Sequence, residues 1–147
     1  MNSIPTRWTR DNERGVVLIE FALVLPLLLV LFAGMFDLGL AFQRYQAVTN
    51  AAREGARMAV LPGYSTADVE SRVRAYLAAS GVPGTATIVV TPITMTPAGG
   101  SLFTVMKVHV QVTHVFTLLG PIATLVGGTF GTVALTSESV MRIEVAS

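Results

Sequence analysis

The sequence predicts an α+β fold with one long N-terminal helix, a second amphipathic helix and a small antiparallel sheet of about three strands. Three observations support this. An apolar run occupies residues 16–36, helical spacing of apolar residues returns after residue 65, and three later segments alternate apolar and polar residues. The 147 residues suffice for one small domain beside a membrane-length helix.

The apolar run reads VVLIEFALVLPLLLVLFAGMF, and Glu20 is its only charged residue. A helix of this length, at about 1.5 Å per residue, matches the roughly 30 Å hydrocarbon core of a bilayer. The residues before the run hold three arginines against two acids. This bias predicts a cytoplasmic N-terminus and an external C-terminal part.

Glu20 indicates function, because a carboxylate in a membrane helix costs roughly 2.5–3.5 kcal/mol at the centre and less near an end. The alternative is a secretory signal, whose apolar region is only about 7–15 residues long and ends at a small-residue cleavage site. This run is longer, and its Ala33-Gly34-Met35 lacks the A-x-A pattern. We favour a retained helix over an exported enzyme that would begin near residue 35.

The helical pattern continues beyond the span to about Leu61, where Pro62-Gly63 is a stop signal. A stripe of small residues along this stalk would let another backbone approach closely. That backbone belongs either to the chain's own external domain or to another subunit, and spacing leaves both open. The small residues are Ala47, Ala51, Gly55 and Ala59.

Two further features of the long helix are expected to have structural roles. Pro26 lacks an N–H group, which predicts a bend within the span. Glu54 lies three residues before Arg57 and is able to pair with it, but we favour a solvated surface for these charges.

The second helix is predicted to begin at Ser65-Thr66, where Asp68 supplies an acidic first turn, and to end by Gly81. Period-two segments follow at about residues 86–90, 106–113 and 132–145, each with one apolar and one polar face, as in an antiparallel sheet laid over helices. The apolar link 117–129 would either close the core or form a contact patch, and we favour the first.

Composition and motifs argue against an enzyme, a cofactor, a metal site and nucleic-acid binding. The chain has no cysteine, which excludes disulfides and a lipoprotein anchor. His109 and His114 fall on opposite faces of one strand, so they cannot share a metal ion. No G-x-S-x-G or H-E-x-x-H motif occurs. Beyond residue 15, seven basic and seven acidic residues remain, which leaves no basic tail.

The segment RGVVLIEFALVLPLLL, with Glu20 fifth after Gly15, resembles the class III prepilin signal of type IV pilins. Downstream, FDLGLAFQRYQAVTNAAREGARMAVLPG resembles TadE-like minor pilins, or pseudopilins, of the tight-adherence (Tad/Flp) pilus system. Phe21 stands where major Flp pilins carry tyrosine, and the chain is longer than those pilins. TadF-like minor pilins share the leader plan and a similar size, so that alternative stays open.

The resemblance implies a pilin-like fold and cleavage by a prepilin peptidase between Gly15 and Val16. Residues 1–15 are then a cytoplasmic leader, 16–61 a transmembrane and stalk helix, and 62–147 an external α+β domain. Glu20, followed by Phe21, would pair with the N-terminal ammonium of Val16 in a neighbouring subunit, because two desolvated opposite charges offset each other's loss of water.

The partners that the resemblance implies are the prepilin peptidase, other pilins and minor pilins, the inner-membrane assembly platform and membrane lipid. The chain would lie in the bacterial inner membrane or in the pilus, and would act in pilus assembly for adhesion. The alternative is an uncleaved single-pass membrane protein with an external binding domain. In that case Glu20→Ala would leave localisation unchanged.

Overall fold

The computed structural model describes residues 8–96, 99–125, 127–129 and 131–143, with residues 8–14 described by their backbone alone. The order of elements confirms the predicted α+β class. These elements are α1 (Trp8–Ala59), α2 (Thr66–Ala79), β1 (Ala86–Met95), β2 (Phe103–Val115), α3 (Leu119–Leu125) and β3 (Thr132–Arg142). We call α2, α3 and the sheet together the head.

Helix α1 is a continuous helix of 52 residues, which corresponds to a length of about 78 Å. It is already formed at Trp8, so it includes the peptide bond between Gly15 and Val16, and it continues through Pro26. It ends at Ala59, slightly before the expected Leu61, and the chain then turns through Gly63, whose φ is +91°. Glycine tolerates this left-handed conformation without strain.

Helix α2 begins where the sequence predicts, because Ser65 and Asp68 form a reciprocal capping box. The Ser65 hydroxyl accepts a hydrogen bond from the Asp68 N–H at 3.3 Å, and the Asp68 carboxylate accepts one from the Ser65 N–H at 2.9 Å. The apolar stripe of α2 faces inwards. Its buried residues are Val69, Val73 and Leu77.

The three strands form an antiparallel sheet in the order β1-β2-β3. From Val108 to Val112 the even-numbered residues of the central strand are buried towards the helices. Odd-numbered residues such as Lys107 and His109 lie on the other face, where each is partly exposed. The predicted alternation of β2 is confirmed over this part of the strand, whereas Met106 is only partly buried. The third strand ends at Arg142, and the expected continuation to Val145 lies outside the described residues.

The C-terminal half of α1 packs against α2 and the sheet and contributes to the hydrophobic core. Val48, Ala51, Ala52 and Ala56 are fully buried in one cluster with α2 and the sheet. Gly55 lies at the closest approach: a Cβ atom there would be 2.6 Å from Val73 Cγ2 and 3.1 Å from Val108 Cγ1. The backbone that approaches the small-residue face thus belongs to the chain's own head. Ala47 and Ala59 lie partly buried at the margin of the cluster.

On the surface of the fold, Glu54 binds Arg72 of α2 at 3.1 Å and not Arg57, the partner that the spacing allowed, because α2 packs across α1 at this level. One expectation about the surface is wrong. The link 117–129 does not close the core: α3 has no buried residue, and Leu125 is 86% exposed. The core cluster ends at Val112 on β2, so the link lies beyond it. Val126, part of that link, lies outside the described residues.

The close contact at Gly55 leads to a stability prediction. Gly55→Ala should lower the stability of the full-length protein in detergent by about 1–3 kcal/mol, the usual cost of overpacking a core. Val73 and Val108 are fully buried, and their branched side chains have little freedom to move aside. The thermal unfolding midpoint, followed by circular dichroism, measures the effect.

Gly39→Ala is the matched control, since Gly39 lies in the same helix and a Cβ atom there meets nothing within 4 Å. It should raise the stability by up to about 1 kcal/mol, because alanine favours helix more than glycine does. Equal midpoints for the two variants would contradict the packing that we describe.

Candidate functional site

No described part of the chain packs against the apolar N-terminal part of α1. Every residue from 15 to 32 is exposed, and Leu23 and Leu27 are 75% and 71% exposed. The most apolar stretch of 18 residues in this helix has a mean hydropathy of 2.9, and 6% of the stretch is buried. Among the described residues, this is the one helix long and apolar enough to cross a membrane.

The segment around the predicted cleavage position lies at the start of this exposed run. Val16 is 55% exposed, Phe21 is 57% exposed, and a Cβ atom at Gly15 would meet nothing within 4 Å. Glu20 is exposed and lies four residues after Val16, on the same helix face. No ion pair joins Glu20 to any side chain that the structure describes. Its carboxylate is therefore open to a group from another molecule.

Asp37 connects the end of the span to the head. It is fully buried, although it stands directly after the apolar run. Its Oδ1 atom accepts hydrogen bonds from the N–H groups of Thr117 at 3.1 Å and Leu118 at 3.2 Å. Its Oδ2 atom accepts from Leu118 at 3.0 Å and Leu119 at 2.8 Å. The carboxylate thus caps the N-terminus of α3, where free N–H groups favour a negative charge.

Asp37 was not among the predicted site residues, although its position in the sequence indicates a buried, paired charge. Asp37 lies four residues after Ala33, and both continue the buried face that carries Val48 and Ala51 further along α1. A charge on a face otherwise made of small and apolar residues indicates a buried group with partners of its own. What the sequence could not supply was the partner, because the α3 amides lie about 80 residues away.

Arg44 and His114 form a second polar contact between α1 and the sheet. Arg44 Nη1 donates to His114 Nδ1 at 2.7 Å. Since arginine can only donate, this His114 nitrogen accepts, and the neutral ring carries its proton on Nε2. The ring is fully buried, with the edge of Phe116 at 5.1 Å between centroids. Burial, followed by the charge of Arg44, lowers the pKa of His114, and Asp37 partly opposes both.

The outer face of the sheet holds a separate charged cluster. Glu138 binds Lys107 at 2.7 Å and has His109 Nδ1 at 3.7 Å. The hydrogen bond from Lys107 is the main cause that lowers the pKa of Glu138. His109 and His114 therefore face opposite sides of β2, as predicted. Within the described part of the chain, no group of three or more acids and histidines could hold a metal ion.

One family match includes both the exposed apolar run and the residues of α1, Asp37 and Arg44, that contact the head. Residues 15–57 match the family model of TadE-like proteins. This confirms the resemblance that the sequence indicated. The TadE-like segment begins at Gly15, contains Glu20, Asp37 and Arg44, and ends two residues after Gly55. No curated protein and no solved structure matches the chain.

The geometry at Asp37 predicts a local effect of neutralising this side chain. In Asp37→Asn, one amide oxygen replaces two carboxylate oxygens, and at least one part-buried N–H group loses its acceptor. An unsatisfied group of this kind costs about 1–3 kcal/mol. Since about 1.4 kcal/mol corresponds to a factor of ten, amide hydrogen exchange at residues 117–119 should accelerate by about fivefold to 150-fold.

Asp68→Asn is the matched control, because Asp68 caps the exposed start of α2 and not α3. It should leave exchange at residues 117–119 unchanged. The described role of Asp37 is contradicted if Asp37→Asn also leaves exchange there unchanged.

The environment of His114 predicts a loss of stability in mild acid. Because the pKa of folded His114 lies below its ordinary value of 6.5, the unfolded chain binds a proton first as the pH falls. The free energy of unfolding should therefore decrease from about pH 6.5 downwards, until the folded-state pKa is passed. Unfolding midpoints of the full chain in detergent between pH 7.5 and 5 measure this.

His114→Gln removes the titrating group and should flatten the pH dependence in this range. Acids with lowered pKa values, such as Asp68 and Glu138, contribute mainly at lower pH, since their ordinary values are 3.8 and 4.5. An unchanged slope in His114→Gln would show that another group is responsible.

Proposed function

We propose that this chain is a TadE-like minor pilin or pseudopilin, cut after Gly15 by a prepilin peptidase, that takes part in assembling a Tad/Flp pilus at the bacterial inner membrane. One observation carries the proposal: the TadE-like match coincides with the helix whose apolar part the chain leaves uncovered. Such a helix can lie in lipid before assembly and against neighbouring helices afterwards.

The proposed cleavage requires a local change in α1, because the Gly15–Val16 bond lies within helical backbone. In a helix, the Gly15 carbonyl accepts the N–H of Ile19, and a peptidase must open this turn to reach the bond. Glycine makes the opening easier, since it favours helix by about 1 kcal/mol less than alanine. The absence of side-chain neighbours around Gly15 leaves space for an enzyme.

Cleavage would give Glu20 a partner. It creates a positively charged ammonium group on Val16, four residues from the Glu20 carboxylate. A neighbouring subunit shifted along the axis by these four residues, about 6 Å, would bring its ammonium beside Glu20. Both charges are costly in an apolar environment, so their pairing favours a correctly staggered neighbour. Glu20 would act as a positioning residue for subunit entry.

The head and the remaining partners follow from this arrangement. In the proposal, the head stays on the outer side of the membrane, while the N-terminal part of α1 contacts lipid, other pilins and the inner-membrane assembly platform. The chain acts as the substrate of the peptidase and as a structural subunit, without enzymatic activity of its own. Its contribution to adhesion would come through the assembled pilus.

The mature N-terminus tests the proposal. Intact mass of membrane-extracted protein should correspond to a chain beginning at Val16 in cells with a prepilin peptidase, and to the uncleaved chain in cells without it. Gly15→Val should block the cut by placing a branched side chain at the scissile bond. Gly34→Val is the matched control, since it adds the same side chain to an equally open position of α1 and should be processed normally.

The other outcomes favour specific alternatives. An uncleaved chain in both strains would contradict the proposal and support a single-pass membrane protein with an external binding domain. A mature N-terminus near residue 35 would instead indicate an exported protein released by an ordinary signal peptidase.

A further inference from the structure

The segment that contains α3 lies at the outer end of the membrane span. The Asp37 carboxylate holds the amides of residues 117–119, and Asp37 follows the last residue of the apolar run, Phe36. Ala33, one turn earlier on the same face, is only 7% exposed. Residues 117–119 therefore contact α1 directly after the end of the run. This contact fixes α3 at the depth where hydrocarbon gives way to lipid headgroups.

The same segment has the composition of an interfacial element. No aspartate, glutamate, lysine or arginine occurs from residue 115 to residue 137. Leu118 and Leu125 are 40% and 86% exposed, and Leu38 of α1, next to Asp37, is 62% exposed. Leu118 and Leu125 lie within this uncharged segment, and Leu38 is an exposed leucine of α1 just beyond the run.

Several polar groups around α3 are paired within the chain, which lowers the cost of placing them against lipid. Asp37 binds the first N–H groups, the Gly128 N–H donates to the Ala123 carbonyl at 2.8 Å, and the Gly127 N–H donates to the Thr124 carbonyl at 3.2 Å. The Thr124 hydroxyl donates to the Pro121 carbonyl at 2.7 Å.

We propose that α3 and the residues just before it form a second membrane contact, which inserts Leu118 and Leu125 into the outer leaflet of the bilayer that α1 spans. The partner is the acyl-chain region just below the phospholipid headgroups. The proposal rests on α1 crossing a bilayer and does not depend on cleavage at Gly15. Its consequence is that the head is attached to the membrane surface at two points and has a fixed orientation.

A lipid partner is favoured over a second copy of the chain by the depth of α3. Asp37 places this helix at the end of the span, and an apolar surface at that depth meets lipid in every isolated subunit. Ala33, one turn before Asp37, is buried as well.

Depth-dependent fluorescence quenching tests the proposal. Trp8→Phe removes the single tryptophan of the full-length chain, and Leu125→Trp then introduces one probe at an exposed position. The protein is placed at one copy per phosphatidylcholine nanodisc, which excludes contact with a second copy. Lipids brominated in the upper acyl chain should quench most of the Leu125→Trp fluorescence, whereas aqueous acrylamide should quench little.

Two further variants calibrate the depth. Leu102→Trp is the matched control, since Leu102 is also an exposed leucine, 69%, but lies before β2 at the opposite end of that strand from α3. It should be quenched by acrylamide and not by brominated lipid. Leu27→Trp, in the middle of the run, reports whether α1 is in the bilayer and should be quenched by lipids brominated deeper in the chain.

Quenching of Leu125→Trp by acrylamide, to the extent seen for Leu102→Trp, would overturn the proposal, as would shielding from both quenchers. Failure of lipid quenching at Leu27→Trp would overturn the span and this proposal together. Lipid quenching of Leu125→Trp in a chain that proves not to be cleaved would support the membrane contact while the proposed pilin function fails.

Discussion

One face of α1 is buried under the head along its C-terminal half and exposed along its N-terminal half, and the rest of the structure depends on this division. Beyond Ala33 this face is covered by the head, through small residues that end in the close contact at Gly55. Before Ala33 no described part of the chain covers it. Because the core of the head includes the C-terminal half of α1, the head cannot separate from α1 without losing that core. Helix α1 and the head form one unit through shared burial.

Two polar contacts at the start of the covered face set the orientation of the head. Asp37 binds the amides before α3, and Arg44 binds His114 on β2, so α1 is tied to the sheet and to the link that follows it. Buried charged groups are costly unless their partners are well placed, which makes alternative positions of the head unfavourable. The small-residue face brings the elements together through packing, while these contacts select one arrangement.

The elements predicted correctly are those whose signals are local. Ser65 and Asp68 lie three residues apart, and the alternation of β2 is visible in the strand itself. Partners that are distant in sequence could not be predicted: Glu54 binds Arg72, and the link 117–129 binds Asp37 instead of filling the core, which was the one wrong expectation. The small-residue stripe was recognised, but its partner was left open. Glu20 was singled out as a lone charge in an apolar run, and only its partner and the cleavage at Gly15 came from the family resemblance. No ion pair joins Glu20 to the side chains that the structure describes.

The central claim is that α1 crosses the membrane within its uncovered part and carries the head on the outer side. Since the chain contains no cysteine, Leu27→Cys and Tyr45→Cys each introduce a single labelling site at an exposed position. A membrane-impermeant maleimide added to intact spheroplasts should label Tyr45→Cys, and should reach Leu27→Cys only after detergent is added. Labelling of Leu27→Cys in intact spheroplasts, or labelling of Tyr45→Cys only after lysis, would contradict the account.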